Sequence, residues 1–354
     1  MDSDNSYNYS NKVDFSNNIE FVVSDLINDV LKEDDDNWMK VREKRIKELK
    51  GIYKKDKLVL FLGAGVSKDA GISDWDDLMS DLLIFIIMKK LNEKDIKITS
   101  DETDFIIRKM KETNYKSPLL QSEFIKAALG DSFEESLAEL LYKNINNNGD
   151  SELLSSISRL CLKGKSGIGI KSIITYNFDD LLEEYFSRYN IPYCSLYSEL
   201  DYTTSDKLGI YHVHGFIPRN FSEYEKLSEG LLVFSEDRYH SLYNDPYSWT
   251  NMTQLNFLRE NTTIMIGLSL TDPNLRRILS IANRKNTSKK HYAFMKRRSF
   301  KIYENEKSIK SNILKSFDNI NNDLHEKSFE QLGINIIWFE EYSDVPTILE
   351  RIRG

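Results

Sequence analysis

Five consecutive apolar residues, Leu58-Val59-Leu60-Phe61-Leu62, run directly into Gly63-Ala64-Gly65. An apolar run without alternation suits a parallel strand buried on both faces. A glycine turn at its end lets backbone amides approach a phosphate. The same residues equally suit a plain strand-to-loop turn, because glycines also end strands for steric reasons. The common dinucleotide fingerprint would need its third glycine at Lys68, but the glycine falls at Gly71. No Gly-Lys-Ser/Thr follows, so a P-loop is excluded. The stretch reads as a nucleotide cradle of another type.

The rest of the chain alternates strand and helix signals. Strands are expected at 172–176, 210–213, 231–234, 263–266, 291–295 and 334–339, separated by helical periodicity. This predicts a doubly wound, Rossmann-like α/β fold with a mostly parallel sheet. Roughly eighty residues between the cradle and the next strand carry only helical signals, which predicts a helical insertion at 103–162 lying as a lid on the nucleotide site. Before it, 75–91 is apolar nearly all round and should be a buried helix. Residues 1–56 are expected to hold an Asn/Ser-rich tail, a short helix at 19–31 and a second helix from Asn37 to Tyr53 whose Lys and Arg form a solvated face. Residues 57–354 form the main domain. Ligands bind such sheets beyond the carboxyl ends of the strands.

A net charge of −8 argues against sequence-independent binding of nucleic acid by the whole surface, leaving at most indirect contact. The only cysteines, Cys161 and Cys194, cannot build a disulfide framework or a four-cysteine zinc site, and no metal is expected. The acidic, Asn/Ser-rich start is unlike a signal peptide. The longest apolar run, 82–88, falls well short of the roughly 20 residues of a membrane helix. A cytoplasmic protein without membrane contact is expected.

The polar residues at the strand ends are the candidates for chemistry. Asn177, Asp179 and Asp180 follow one strand, and on local grounds they suit a helix cap as well as a site. His212 and His214 share one side of another strand, so periodicity does not choose between them. Gly267 and Ser269 follow a third.

Taken together, these residues resemble the sirtuin family. Gly63, Ala64, Gly65, Ser67, Gly71, Ile72 and Asp74 match its Gly-Ala-Gly-x-Ser-x-x-x-Gly-Ile-Pro-Asp-Phe-Arg pattern, with Ser73, Trp75 and Asp76 as departures. Thr175-Tyr176-Asn177-Phe178-Asp179 resembles Thr-Gln-Asn-Ile-Asp, His214-Gly215 matches the catalytic His-Gly, and Gly267-Leu268-Ser269 matches a Gly-x-Ser that contacts ADP-ribose. Asp272-Pro273-Asn274 is closer to prokaryotic sirtuin-like NADases than to deacylases. The missing zinc module and Asp76 point the same way, toward the bacterial anti-phage defence branch.

The resemblance implies cleavage of NAD+ between nicotinamide and ribose. Asn177 would orient the ribose or water, Asp179 would meet the carboxamide, and His214 would act as base. Gly63, Ala64, Gly65 and Ser67, with Gly71, Asp74 and Trp75 beside them, would hold the dinucleotide, and Gly267 and Ser269 its adenosine side. NAD+ is then a substrate. A homo-oligomer is expected, with a translocase-type ATPase or a short Argonaute-like protein as a possible partner. The rival readings are an NAD-dependent protein deacylase and a non-catalytic NAD or ADP-ribose sensor.

Overall fold

The computed structural model describes residues 37–354 apart from 56–57, 114–117, 146–148, 163–168, 226, 228–229, 231, 285–289 and 300–310. The expected tail and the helix at 19–31 lie outside the described residues.

Strand β1 (Leu58–Leu62) is central in a seven-stranded sheet of order β3-β4-β2-β1-β5-β6-β7. The other strands are β2 (Ile170–Thr175), β3 (Tyr193–Leu196), β4 (Leu208–His212), β5 (Thr262–Ile266), β6 (His291–Lys296) and β7 (Ile334–Phe339). Every pairing is parallel. All five β1 residues are buried, and alternation sends them to two cores. Leu58, Leu60 and Leu62 join one cluster, Val59 and Phe61 the other. Burying each such side chain is worth about 1.5–3 kcal/mol, so β1 anchors both layers.

The first layer includes helix α1 (Asn37–Tyr53), helix α2 (Trp75–Glu93), helix α6 (Glu152–Cys161), helix α7 (Leu181–Arg188) and helix α12 (Asp344–Arg353). The second includes helix α9 (Trp249–Glu260), helix α10 (Pro273–Asn283) and helix α11 (Ser311–Glu330). Helix α8 (Glu236–Asn244) leads into α9. Within the stretch expected as an insertion, helix α3 (Ser100–Thr113), helix α4 (Pro118–Leu129) and helix α5 (Phe133–Tyr142) pack on α2, and α4 also meets α8. Helix α6 packs against α7 and α12 and so belongs to the layer that covers the sheet.

Four expectations need correction. Residues 232–234 form no strand; Val233 donates one backbone hydrogen bond to the His214 carbonyl (2.7 Å) while Phe234 buries its ring. An apolar run under a loop needs the same composition as a strand. Edge strand β3 was missed, because Tyr193-Cys194-Ser195-Leu196 is short and mixed in polarity. Helix α2 fully buries only Leu78, Met79 and Leu82, its other apolar residues being covered in part. On α1, Arg45 is not solvated: it is buried, with Nη2 2.6 Å from Glu326 and Nη1 donating to the Ile336 carbonyl at 2.6 Å.

Candidate active site at the switch point

Strand β1 leads through α2–α6 to β2 on one side, and its other neighbour is β5. The loops after β1 and β5 therefore meet where strand order reverses, the place where open parallel sheets bind ligands. They touch closely. Gly63 donates to the Ile266 carbonyl (3.0 Å) and Gly65 to the Gly267 carbonyl (3.1 Å).

A Cβ at Gly65 would stand 2.8 Å from Gly267 Cα, and one at Gly63 would stand 2.7 Å from the Gly267 oxygen. Gly267 adopts φ +70°, and a Cβ on it would lie 2.7 Å from the Val66 nitrogen. The glycines are required by this backbone-on-backbone approach, before any phosphate is considered. Gly71 is also constrained, with φ +102° and a Cβ position 2.2 Å from the Asn144 carbonyl oxygen.

Ser67, next in the same loop, is buried, and its hydroxyl joins the two strand-end candidates. It donates to Asp179 Oδ1 (3.1 Å) and accepts from Asn177 Nδ2 (3.1 Å). That hydroxyl is therefore committed within the protein. Thr175 Oγ1 accepts from the Asn177 backbone amide (3.1 Å), fixing the chain as it leaves β2. Asp179 Oδ1 also accepts from the Leu181 amide (3.2 Å), at the start of α7. Complete burial pushes the Asp179 carboxyl up to about 7, against the opposing hydrogen bonds from Leu181 and Ser67.

Asp180 is held by the Arg219 amide (2.7 Å) and by Tyr142 of α5, whose hydroxyl lies 3.0 Å from Oδ1 and 2.6 Å from the Ile217 carbonyl. The last turn of α5 is thereby tied to the loop after β2.

The two histidines differ sharply. His212 is buried, its Nε2 donating to Glu183 (2.7 Å) and its Nδ1 3.3 Å from the Asn177 carbonyl oxygen. It is a brace behind Asn177. His214 is partly exposed as a residue, yet its Nε2 is enclosed and has no hydrogen-bond partner. Its ring stands edge-on to Tyr176 at 4.7 Å. Burial lowers its proton affinity, opposed by the charge of Asp272. Asn177 Oδ1 is likewise buried and unpartnered. Two orphaned polar atoms, one on each of two neighbouring strand ends, would each cost about 1–3 kcal/mol if nothing met them.

Other candidates have structural partners. Asp74 caps α2 by accepting from the Asp77 amide (3.1 Å) and pairs with Lys68 (2.6 Å). Trp75 packs on Phe234 (5.2 Å) and Phe178 (6.5 Å). Ser269 is exposed, 2.7 Å from Thr271 Oγ1. Leu270 beside it takes φ +57°, uncommon for a branched side chain, and is held by burial.

Tyr176, Gln254, Tyr239 and Asp272 were not among the sequence candidates. Tyr176 contacts Gln254 through its hydroxyl and Tyr239 receives the Asn274 amide (3.0 Å). Asp272 caps α10 by accepting from Leu275 (2.6 Å) and its charge acts on His214, Tyr176 and Tyr239. Tyr176 and Asp272 stood in the sequence only as members of the 175–179 and 272–274 motifs, without a role of their own.

Residues 171–318 match the family model described as a SIR2-like domain. The match begins within β2 and takes in the Asn177, His214 and Gly267 loops, while the cradle lies before it. The chain is also 23% identical to "NAD(+) hydrolase ThsA" of Enterococcus faecium over 314 residues, 87% of this chain and 57% of that protein. It thus spans somewhat over half of that relative's length. A solved structure described as "Structural Basis for the Mechanism and Regulation of Sir2 Enzymes" aligns with 88% of this chain and 98% of its own at 11% identity and a TM-score of 0.35.

Proposed function

We propose that the protein hydrolyses NAD+ at the nicotinamide–ribose bond, releasing nicotinamide and ADP-ribose, and serves as an NAD-depleting effector in bacterial anti-phage defence. The observation that carries this reading is the pair of buried, unpartnered atoms, Asn177 Oδ1 and His214 Nε2, beside the glycine-lined switch point. The match of residues 171–318 to the SIR2-like family model and the similarity to a protein named as an NAD(+) hydrolase support it.

In the proposed reaction the bond from ribose C1′ to the nicotinamide nitrogen breaks with its electron pair leaving on nicotinamide, and water adds to C1′. Asn177 Oδ1 accepts a hydrogen bond from the attacking water or a ribose hydroxyl. His214, neutral at cellular pH because burial disfavours its charge, takes the proton. Asp179 meets the carboxamide, and its raised proton affinity lets it serve as donor or acceptor near neutrality. The backbone around Gly63, Ala64 and Gly65 holds the pyrophosphate, with Gly267 and Ser269 toward adenosine.

We further propose a cytoplasmic homo-oligomer whose helices α3–α5 act as a lid, with control exerted through subunit contacts or a partner. Among the described residues no helix is long and apolar enough to cross a membrane, and no cluster of metal-binding side chains is found.

The test is nicotinamide release from NAD+ by the purified protein, with and without an acetylated peptide. Peptide-independent release is expected. His214→Ala and Asn177→Ala should each lower it by about 10²–10⁴ with folding retained. Release that requires the peptide, or a His214→Ala variant as active as the parent, would overturn the reading.

A further inference from the structure

The loop after β5 borders a second feature. At the carboxyl ends of β5, β6 and β7 a cleft of about 330 Å3 opens, with Ser269 and Thr271 on one side and Phe329 and Trp338 among its apolar walls. Arg276, Lys296, Arg298 and His325 also line it. The Arg298 backbone is pinned by Asn322, which accepts from its amide (3.0 Å) and donates to its carbonyl (3.1 Å). Its guanidinium has no carboxylate partner among the described residues.

Arg276 donates to the Leu270 carbonyl (3.2 Å) and lies 5.9 Å from the Phe329 ring centre, again with no carboxylate among the described residues. Lys296 is 3.4 Å from Glu341 in an exposed pair that solvent screens. His325 is disfavoured as a cation by burial and then by Arg298. Three cations therefore line one small cleft, where Glu341 pairs only with Lys296 and the Glu326 carboxylate accepts from the Trp338 indole (2.8 Å). Such a set repels itself and is relieved by a dianion, and guanidinium forks match a phosphate's oxygens.

The volume sits at the bottom of the roughly 300–1,000 Å3 range of ligand pockets. It suits one end of a ligand whose remainder lies elsewhere, and the 267–272 loop is shared with the candidate active site. We propose that this cleft receives a phosphomonoester on the adenosine ribose of the dinucleotide, making NADP+ the preferred substrate. This rests on the NAD+-hydrolase reading and adds to it the substrate class. Arg298 and Lys296 are the specificity determinants, and Arg276 both faces the phosphate and supports the Leu270 turn.

The experiment has two arms. The first compares kcat/KM for NADP+ and NAD+ in the parent, Arg298→Gln and Lys296→Gln. The parent should favour NADP+ about 10- to 100-fold, as expected for one or two charge-assisted contacts, and the preference should fall toward unity in both variants. The second measures binding of 2′-phosphoadenosine 5′-phosphate and of 5′-AMP by calorimetry, which needs no turnover. The bisphosphate should bind at least about tenfold more tightly, in an Arg298-dependent way that weakens with salt. Thermal melts confirm that the variants are folded.

Cleavage of neither dinucleotide, with the bisphosphate still preferred through Arg298, would sink the hydrolase reading and leave the cleft assignment standing. A parent that cleaves NAD+ as well as or better than NADP+, or equal binding of the two mononucleotides, overturns the proposal. So does an Arg298→Gln variant indistinguishable from the parent.

Discussion

Asp179→Asn gives the sharpest test of the electrostatics in the candidate site. In the folded protein the Asp179 carboxyl titrates at about 7, raised from 3.8 by burial. Between those values the folded state holds the proton and the unfolded chain does not. The folded state therefore binds more protons, and stability contributed by this group is full below pH 4 and lost as pH rises through 7. A shift of that size corresponds to about 4 kcal/mol at 1.36 kcal/mol per unit, an upper bound.

Asparagine keeps an oxygen for Ser67 and Leu181 and removes the titration. Urea unfolding at intervals from pH 4.5 to 7.5 measures parent minus variant, which cancels the surface carboxylates Glu43, Asp74 and Asp237, whose lowered proton affinities act in the opposite direction. The difference should tilt against the parent by one to several kcal/mol and level off above about pH 7.5. A flat difference across the range would mean that Asp179 is ionised throughout, and its assignment as a group that can donate to a carboxamide would fall.

Gly71→Ala should destabilise by about 2–5 kcal/mol, since it combines a left-handed backbone with a collision against Asn144; chemical denaturation checks it. Gly65→Val should abolish dinucleotide binding by pushing the Gly267 loop away, read by calorimetry against the parent. Glu183→Gln should weaken the brace through His212 and lower kcat about tenfold or more with KM changed less, while Ser195 still has an acceptor; an unchanged kcat would remove His212 from the positioning of Asn177. Light scattering with an NAD+ assay across protein concentration tests assembly, and a monomer cleaving at full rate at every dilution would exclude control by subunit contacts.

Local chemistry was enough to mark β1, the loops that follow β2, β4 and β5, and the α/β order, because an unbroken apolar run and clustered glycines have few other uses. Apolar composition did not separate a strand from a buried loop at 232–234, since Phe234 is buried either way. Nor could periodicity rank His212 against His214, two positions apart in one expected strand; in the structure the strand ends at His212 and the rings have different neighbours. The choice is made by Glu183, 29 residues away in sequence, which occupies one ring and leaves the other without a partner.

Likewise Ser67 and Gly71 look in the sequence like parts of a phosphate loop. Only the packed chain brings Asn177 and Asp179 to the Ser67 hydroxyl, or Asn144 against Gly71. Residue type and short-range pattern specify what a backbone segment is able to become. Which polar atoms are satisfied, and which are left open for a ligand, depends on contacts between segments distant in the chain, and those exist only once the sheet and its two helical layers have closed.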